Sequence, residues 1–231
     1  MEIVEPYARL LRLDGIAVEL VRAGSFALKN IEAAGRVSHR SEDAQTDDSC
    51  LRFVRSVVLT HGDWSIVEHA SATVEFLVDI GITHEIVRHR HFSFTQESTR
   101  FVNYQKKLGL QFIDPFAYKA DPEAPDWRDG SRFWHQCMLA AEINYNRLLE
   151  GGSSPQIARS VLPNALASKL IMTGNLRAWR HFFIMRTTEE AHPQMKQVTI
   201  PLLADFKAAI PLLYDDIEPN QHQSEYLRLP E

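Results

Sequence analysis

The stretch that most constrains the fold is ASATVEFLVDI, Ala70 to Ile80, where Val74 and Phe76 alternate with Thr73 and Glu75. A period of two in β-branched residues marks a half-buried strand, and Gly81 punctuates its end. A second run, ALASKLIMTG, Ala165 to Gly174, reads as another strand. Most of what surrounds them reads as helix. LRFVRSVVLTHG follows the polar segment Ser41 to Cys50, carries i, i+3, i+4 apolar spacing and ends near Gly62, with Asp47, Asp48 or Ser49 as candidate caps. Ile82 to about His91 predicts a short helix, and FSFTQESTRFVNY after it an extended segment. Ser131 to Glu150 predicts a long helix ending at Gly151-Gly152. SSPQIARSVLP starts another, with Ser154 as cap, Pro155 at the first helical position and Pro163 as stop. NLRAWRHFFIMR opens a helix at Asn175, and AHPQMKQVTIPLLADFKAAIPLLY predicts one broken or kinked at Pro201.

This order has few strands and no regular strand-helix alternation. The expected fold class is therefore α+β, a single domain over residues 1–231 with a small mixed or antiparallel sheet flanked by long helices. The prolines and aspartates of IDPFAYKADPEAPDWRDG make residues 113–130 an irregular excursion, a surface loop or lid, rather than a linker. Neither GxGxxG nor a Walker A sequence occurs, so a nucleotide site must be built by other means.

A formal charge of −5 provides no global basic field of the kind that holds a nucleic-acid backbone. An anion must be held by a local arginine cluster. The N-terminal MEIVEPYARLLRLDG carries two glutamates, and charges or prolines interrupt every apolar run before transmembrane length. A soluble, cytoplasmic chain with no membrane or nucleic-acid partner is expected. Both cysteines fall on helical apolar stripes, Cys50 with Phe53, Val54, Val57 and Val58, Cys137 with Trp134, Met138, Ala141 and Tyr145. Core packing is expected of both, since a nucleophilic thiol needs an electropositive, partly exposed place.

The densest chemistry lies in RHRHFSFTQESTR, Arg88 to Arg100. Arginine offers a bidentate fork to phosphate oxygens, Ser93 and Ser98 add hydroxyls, and the Gln96 amide is able both to donate and to accept at a heterocycle edge. From spacing alone, a solvated face with ion pairs to Glu85 and Glu97 is an equal alternative. His84, Glu85, His89 and His91 as metal ligands rank lower, because Arg88 and Arg90 would repel a divalent cation and no HExxH spacing is present. No metal is expected.

Arg88-His89-Arg90, seven residues and then Ser98, extended by Arg100, resembles the signature of the flavin-dependent thymidylate synthases. GRVSH (Gly35 to His39), HGDWSIVEH (His61 to His69), ARSVLP (Ala158 to Pro163), GNLRAWRHFFIMR (Gly174 to Arg186) and AHPQM (Ala191 to Met195) agree in order, so the resemblance spans about 35–195. It implies reductive methylation of dUMP to dTMP, with methylenetetrahydrofolate as carbon donor, NADPH as reductant and FAD as bound cofactor, and no cysteine nucleophile. It also implies a homotetramer with sites at subunit contacts. Arg186 takes the catalytic role of favouring the electron-rich, N3-ionised uracil.

By the same resemblance, FAD falls to Ser38, Ser65, Glu68, Arg88, His89, Arg90, Gln96, Asn175, Leu176, Arg177, His181 and His192. The substrate dUMP falls to Glu85, Arg88, Gln96, Glu97, Ser98, Thr99, Arg100, Arg159 and Arg186. Three positions depart from the pattern: Glu85 stands where many members have glutamine, Asp63 where some have histidine, and His181 where some have asparagine. Two extra residues also separate Arg186 from His192 relative to some members.

Overall fold

The computed structural model describes residues 1–18, 23–106, 109–117 and 128–222. Along the chain come β1 (Glu2–Ile3), β2 (Tyr7–Leu13), β3 (Ile16–Ala17), α1 (Ala23–Val37), α2 (Cys50–Val54), β4 (Ser71–Asp79), α3 (Ile80–Ile86), β5 (Phe92–Gln96), β6 (Gln111–Phe112), α4 (Arg128–Glu150), α5 (Pro155–Ala158), β7 (Ala167–Asn175), α6 (Leu176–Arg186) and α7 (Pro193–Ala209). Five strands form an antiparallel sheet in the order β3-β2-β4-β7-β5, while β1 and β6 pair in parallel apart from it. The α+β class expected from the sequence is the class observed.

The two strands read from alternation and apolar content hold the middle of the sheet. Along β4, Ala72, Val74, Phe76 and Val78 are buried and the residues between them half-buried. Both strands pass into a helix without a loop, each through a capping side chain. Asp79 accepts from the backbone N–H of Ile82 at 2.7 Å to start α3, and Asn175 accepts from that of Ala178 at 2.7 Å to start α6.

The chain folds into two interleaved compact units. The first comprises Met1–Tyr7, Leu77–Arg88 and Thr95–Leu170. Its core gathers Phe112, Tyr145 and Leu166, all fully buried, with Leu110, Met138 and Ala158. The second comprises Ala8–Phe76, His89–Phe94 and Ile171–Glu231. Its core is aromatic: Trp179 lies 5.3 Å from both Phe182 and Phe206, and Phe206 lies 4.9 Å from Phe183 and 5.4 Å from Tyr214. The polar atoms of the two amphipathic rings are satisfied inside it, Trp179 Nε1 donating to the Ala72 carbonyl and the Tyr214 hydroxyl to that of Leu176.

Several sequence expectations change. The helix expected over 51–62 is α2 followed by a π-helical turn, Arg55–Thr60, closed by Gly62 at φ 83°. The segment after β5 does not stay extended, because the Ser98 carbonyl accepts from the N–H groups of Phe101 and Val102 and turns the chain. Pro201 does not break α7: Met195, Val198, Leu202, Leu203 and Phe206 bury one continuous face, which outweighs the missing proline N–H. Cys50 is buried as expected, but Cys137 is exposed. The inward face of α4 is Met138, Ala141 and Tyr145, and Cys137 lies one residue, about 100°, round the helix from Met138. The excursion expected over 113–130 ends in α4 at Arg128, and its middle lies outside the described residues.

Gly174 fixes how closely β7 meets its neighbour. A Cβ there would come within 2.3 Å of the Phe92 ring, which is itself held 5.0 Å from Trp179. Gly174→Ala is expected to destabilise the fold by about 1–3 kcal/mol through overpacking, read as a lower denaturation midpoint with unchanged m-value.

Candidate active site

The arginine motif supplies residues to a polar cavity in each unit. In the first unit, a cavity of about 680 Å³ is lined by Gln96, Glu97, Ser98 and Thr99 and by Arg159. Three local devices build it. The Glu97 N–H donates to the Lys169 carbonyl at 2.8 Å, which anchors the end of β5. The turn at Ser98 follows at once. Opposite, Pro155 starts α5 and the helix tightens into a 3-10 turn at Arg159–Val161. The Arg159 guanidinium donates to Thr99 Oγ1 at 3.1 Å, so an exposed cation is steered toward the hydroxyl-rich wall. Arg100 reaches across toward Gln156 Oε1 at 3.5 Å. Guanidinium, hydroxyl and amide groups around an open polar cavity suit a phosphorylated polar ligand.

The sequence reading missed His84, Gln156, Ser160 and Asn164, which also line this cavity. The signal for two of them was present: Gln156 and Ser160 flank Arg159 within a helical turn. Glu85 and Arg88, expected to bind substrate, are not among the lining residues, whereas Glu85's neighbour His84 is.

In the second unit a cavity of about 360 Å³ is lined by Glu68, Arg90, Asn175, Arg177 and His181. Helical periodicity explains the set, since Arg177 and His181 sit one turn apart on α6. Arg177 pairs with Glu68 at 2.7 Å. His91, Phe92 and Ala178 complete the lining and were not read from the sequence. The other residues expected at a flavin site have different placements. Leu176 is buried, its N–H donating to the Ala70 carbonyl; Ser38 donates to the Gly35 carbonyl beyond α1; Ser65 lies in the 3-10 turn Trp64–His69. His192 caps α7, its Nδ1 accepting from the Gln194 N–H at 3.2 Å. Gln96 belongs to the cavity of the first unit.

In the same unit, and outside the lining of this cavity, Arg186 Nε donates to His89 Nε2 at 2.9 Å. His89 is wedged edge-on against Phe182, 4.9 Å away, and 6.2 Å from the ring of His181. Burial, then the Arg186 charge, then His181 lower its pKa from 6.5 to about 4. At neutral pH the imidazole is uncharged, its Nε2 lone pair serving the guanidinium, so the proton resides on Nδ1. Among the described residues no three His, Cys, Asp or Glu side chains converge as metal ligands.

The family described as thymidylate synthase complementing protein matches residues 19–212. The chain belongs to this family. Among curated relatives, a flavin-dependent thymidylate synthase of Corynebacterium efficiens is 35% identical over 203 residues, covering 81% of this chain and 78% of that protein. Its namesake in Mycobacteroides abscessus is 35% identical over 204 residues, covering 81% and 78%. That of Corynebacterium aurimucosum is 33% identical over 218 residues, covering 88% and 85%. For a member of this family, the motif that carried the resemblance is the same segment that lines both cavities.

The His89 environment has a consequence for stability. Between pH 6.5 and about 4 the unfolded chain binds a proton at this position and the folded chain refuses it. Acidification through that window therefore favours unfolding. The melting temperature is expected to fall as pH drops from neutral to about 4, and His89→Gln to flatten part of that slope. Thermal melts of both proteins over the range check it.

Proposed function

We propose that this protein is a flavin-dependent thymidylate synthase that converts dUMP to dTMP, taking the carbon unit from methylenetetrahydrofolate and the reducing hydride from NADPH through FAD, without a cysteine nucleophile. The observation that carries the reading is that one motif, Arg88 to Arg100, lends its end to a hydroxyl- and guanidinium-lined cavity and its beginning to a second cationic cavity.

In the first unit, Arg159, Ser98 and Thr99 take the phosphate of dUMP, with Arg100 beside the lining residue Gln156. In the second, Arg90, Arg177, His181 and Asn175 form a donor set that fits a pyrophosphate and the carbonyl edge of a flavin. FAD bound there supplies hydride transfer. About 360 Å³ lies at the small end for ligand cavities, which suits a site completed by another chain. The exposed Phe133, Leu139 and Ile143 of α4 suit a homotetramer in the same way, as apolar surface that a subunit contact covers. The enzyme works in the cytoplasm, and among the described residues no helix is long and apolar enough to cross a membrane.

The chemical task is to make uracil C5 nucleophilic. Arg186 does so electrostatically, its fixed cation favouring the N3-ionised ring, and His89 holds the guanidinium through Nε. Cys50 is buried away from such a role.

Purified protein is expected to be yellow, and its reduced flavin to be reoxidised by methylenetetrahydrofolate only when dUMP is present; colourless protein that refuses added FAD would overturn the proposal. Arg159→Ala is expected to raise KM for dUMP about 10- to 100-fold, the worth of a charge-assisted contact. Arg186→Ala should keep fold and flavin while kcat falls by about 100-fold or more, the scale seen when one transition-state donor is removed. Steady-state kinetics with the flavin absorbance monitored separates these effects.

A further inference from the structure

The Gln96 side chain is not free to choose its polarity. Its Nε2 donates to Thr83 Oγ1 at 3.0 Å and to Ser168 Oγ at 3.2 Å. Both hydroxyls belong to buried residues, Thr83 fully and Ser168 1% exposed. The Thr83 hydroxyl has one proton, and it goes to the Ile80 carbonyl at 2.8 Å inside the first turn of α3. Thr83 Oγ1 is therefore an acceptor only. A flipped amide would set Oε1 against an oxygen with no proton to give, replacing a hydrogen bond to a buried hydroxyl by a contact between two acceptors. The unflipped amide spends both N–H groups on the interior. What remains is Oε1, and among the described residues it accepts no hydrogen bond. Gln96 lines the cavity of the first unit, so that carbonyl is what the cavity receives. An amide expected from sequence to donate and accept is held as an acceptor alone.

We infer that Gln96 is a specificity-determining residue whose amide, locked by the positioning residues Thr83 and Ser168, presents an obligate hydrogen-bond acceptor to the nucleotide and so reads a donor on it. This rests on the assignment of the cavity to dUMP. It gives the cavity an internal polarity. Arg159, Ser98 and Thr99 offer donors suited to phosphate oxygens, while Gln96 repels them and any unprotonated carbonyl. A deoxyuridine monophosphate carries two donors that satisfy the carbonyl, the sugar 3′-hydroxyl and, until the ring ionises beside Arg186, the imide N3–H. A pyrimidine nucleotide lacking the matched donor leaves the Gln96 carbonyl desolvated and unpaired, and is rejected for that reason.

The chain of cause begins at Asp79. Its carboxylate caps α3 by accepting from the Ile82 N–H, which fixes the turn in which Thr83 reaches back to the Ile80 carbonyl. The hydrogen-bond polarity of a ligand site is thereby set by a helix cap that does not itself line the site.

The test is calorimetric binding of three probes to the flavin-loaded protein: dUMP, its 3′-deoxy analogue and its N3-methyl analogue. The wild type is expected to bind one of the two analogues at least about tenfold more weakly than dUMP, and which one identifies the donor read. Gln96→Leu should abolish that discrimination. Thr83→Val, nearly isosteric but without the acceptor, releases the amide to flip and should reduce it to a few-fold, while Thr83→Ser restores it. Should Thr83→Val fail to fold, Ser168→Ala frees one N–H and carries the same comparison. A purely structural role for Thr83 would shift all three affinities together and leave the ratio unchanged, which would overturn the inference. So would equal binding of both analogues by the wild type. Absence of dUMP binding by the wild type would instead overturn the functional assignment of the cavity.

Discussion

The cavity of each unit depends first on a side-chain cap at a strand-to-helix junction. β4 and β7 each end in a residue, Asp79 and Asn175, whose side-chain oxygen accepts from the backbone N–H three residues on, both at 2.7 Å. Each is worth roughly 1 kcal/mol as a cap, yet the geometric effect is larger than the energetic one. With no loop between strand and helix, the register of the strand determines which helical residues face which way. Through Asp79 the pleat of β4 places Thr83 and His84. Through Asn175 that of β7 places Arg177, His181 and Arg186 on α6.

Cations at a binding site repel one another, and the second unit handles this with a neutral group. His89 of the motif packs against α6, is kept uncharged by burial and by the Arg186 charge, and offers that same arginine a lone pair. A protonated imidazole would have to present N–H to N–H. The depressed pKa and the hydrogen bond are thus one fact seen from two sides. The pair is compatible with a dense cationic segment because it brings one charge, the Arg186 guanidinium, instead of two. The first unit uses hydroxyls instead, with Thr99 accepting from Arg159 where a carboxylate would have quenched the charge.

The parts of this arrangement that were legible in the sequence are those encoded within a short window. Alternation in Ala70 to Ile80 predicted β4, and Asn175 was read as a helix start because a capping side chain precedes an apolar periodic run. Asp14-Gly15 was an unread signal of the same local kind. It joins β2 to β3 with φ 51° and 80°, the two left-handed positions that a two-residue hairpin needs. What stayed illegible depends on contacts distant in sequence. Cys137 faces out because the inward face of α4 is chosen by Phe112 and Leu166, and nothing in its own stripe reveals this. The Gln96 amide is oriented by Ser168, 72 residues away. The coupling of His89 to Arg186 spans 97 residues, so the motif and Arg186 read as separate signals.

One backbone angle ties the second cavity together. His91 sits at φ 66°, a left-handed conformation that costs a side-chain-bearing residue about 1–2 kcal/mol. It persists because both of its flanks are pinned. Upstream, His89 is held by the Arg186 hydrogen bond and by the edge of Phe182. Downstream, Phe92 packs edge-on against Trp179 over the space that Gly174 leaves open. With those anchors in place the chain has no regular path from His89 into β5, and the sharp turn between them sets Arg90, His91 and Phe92 in succession along one cavity wall. The strain resides where the anchored core and the cavity wall share three consecutive residues, and it is sustained by the same aromatic cluster that stabilises the unit.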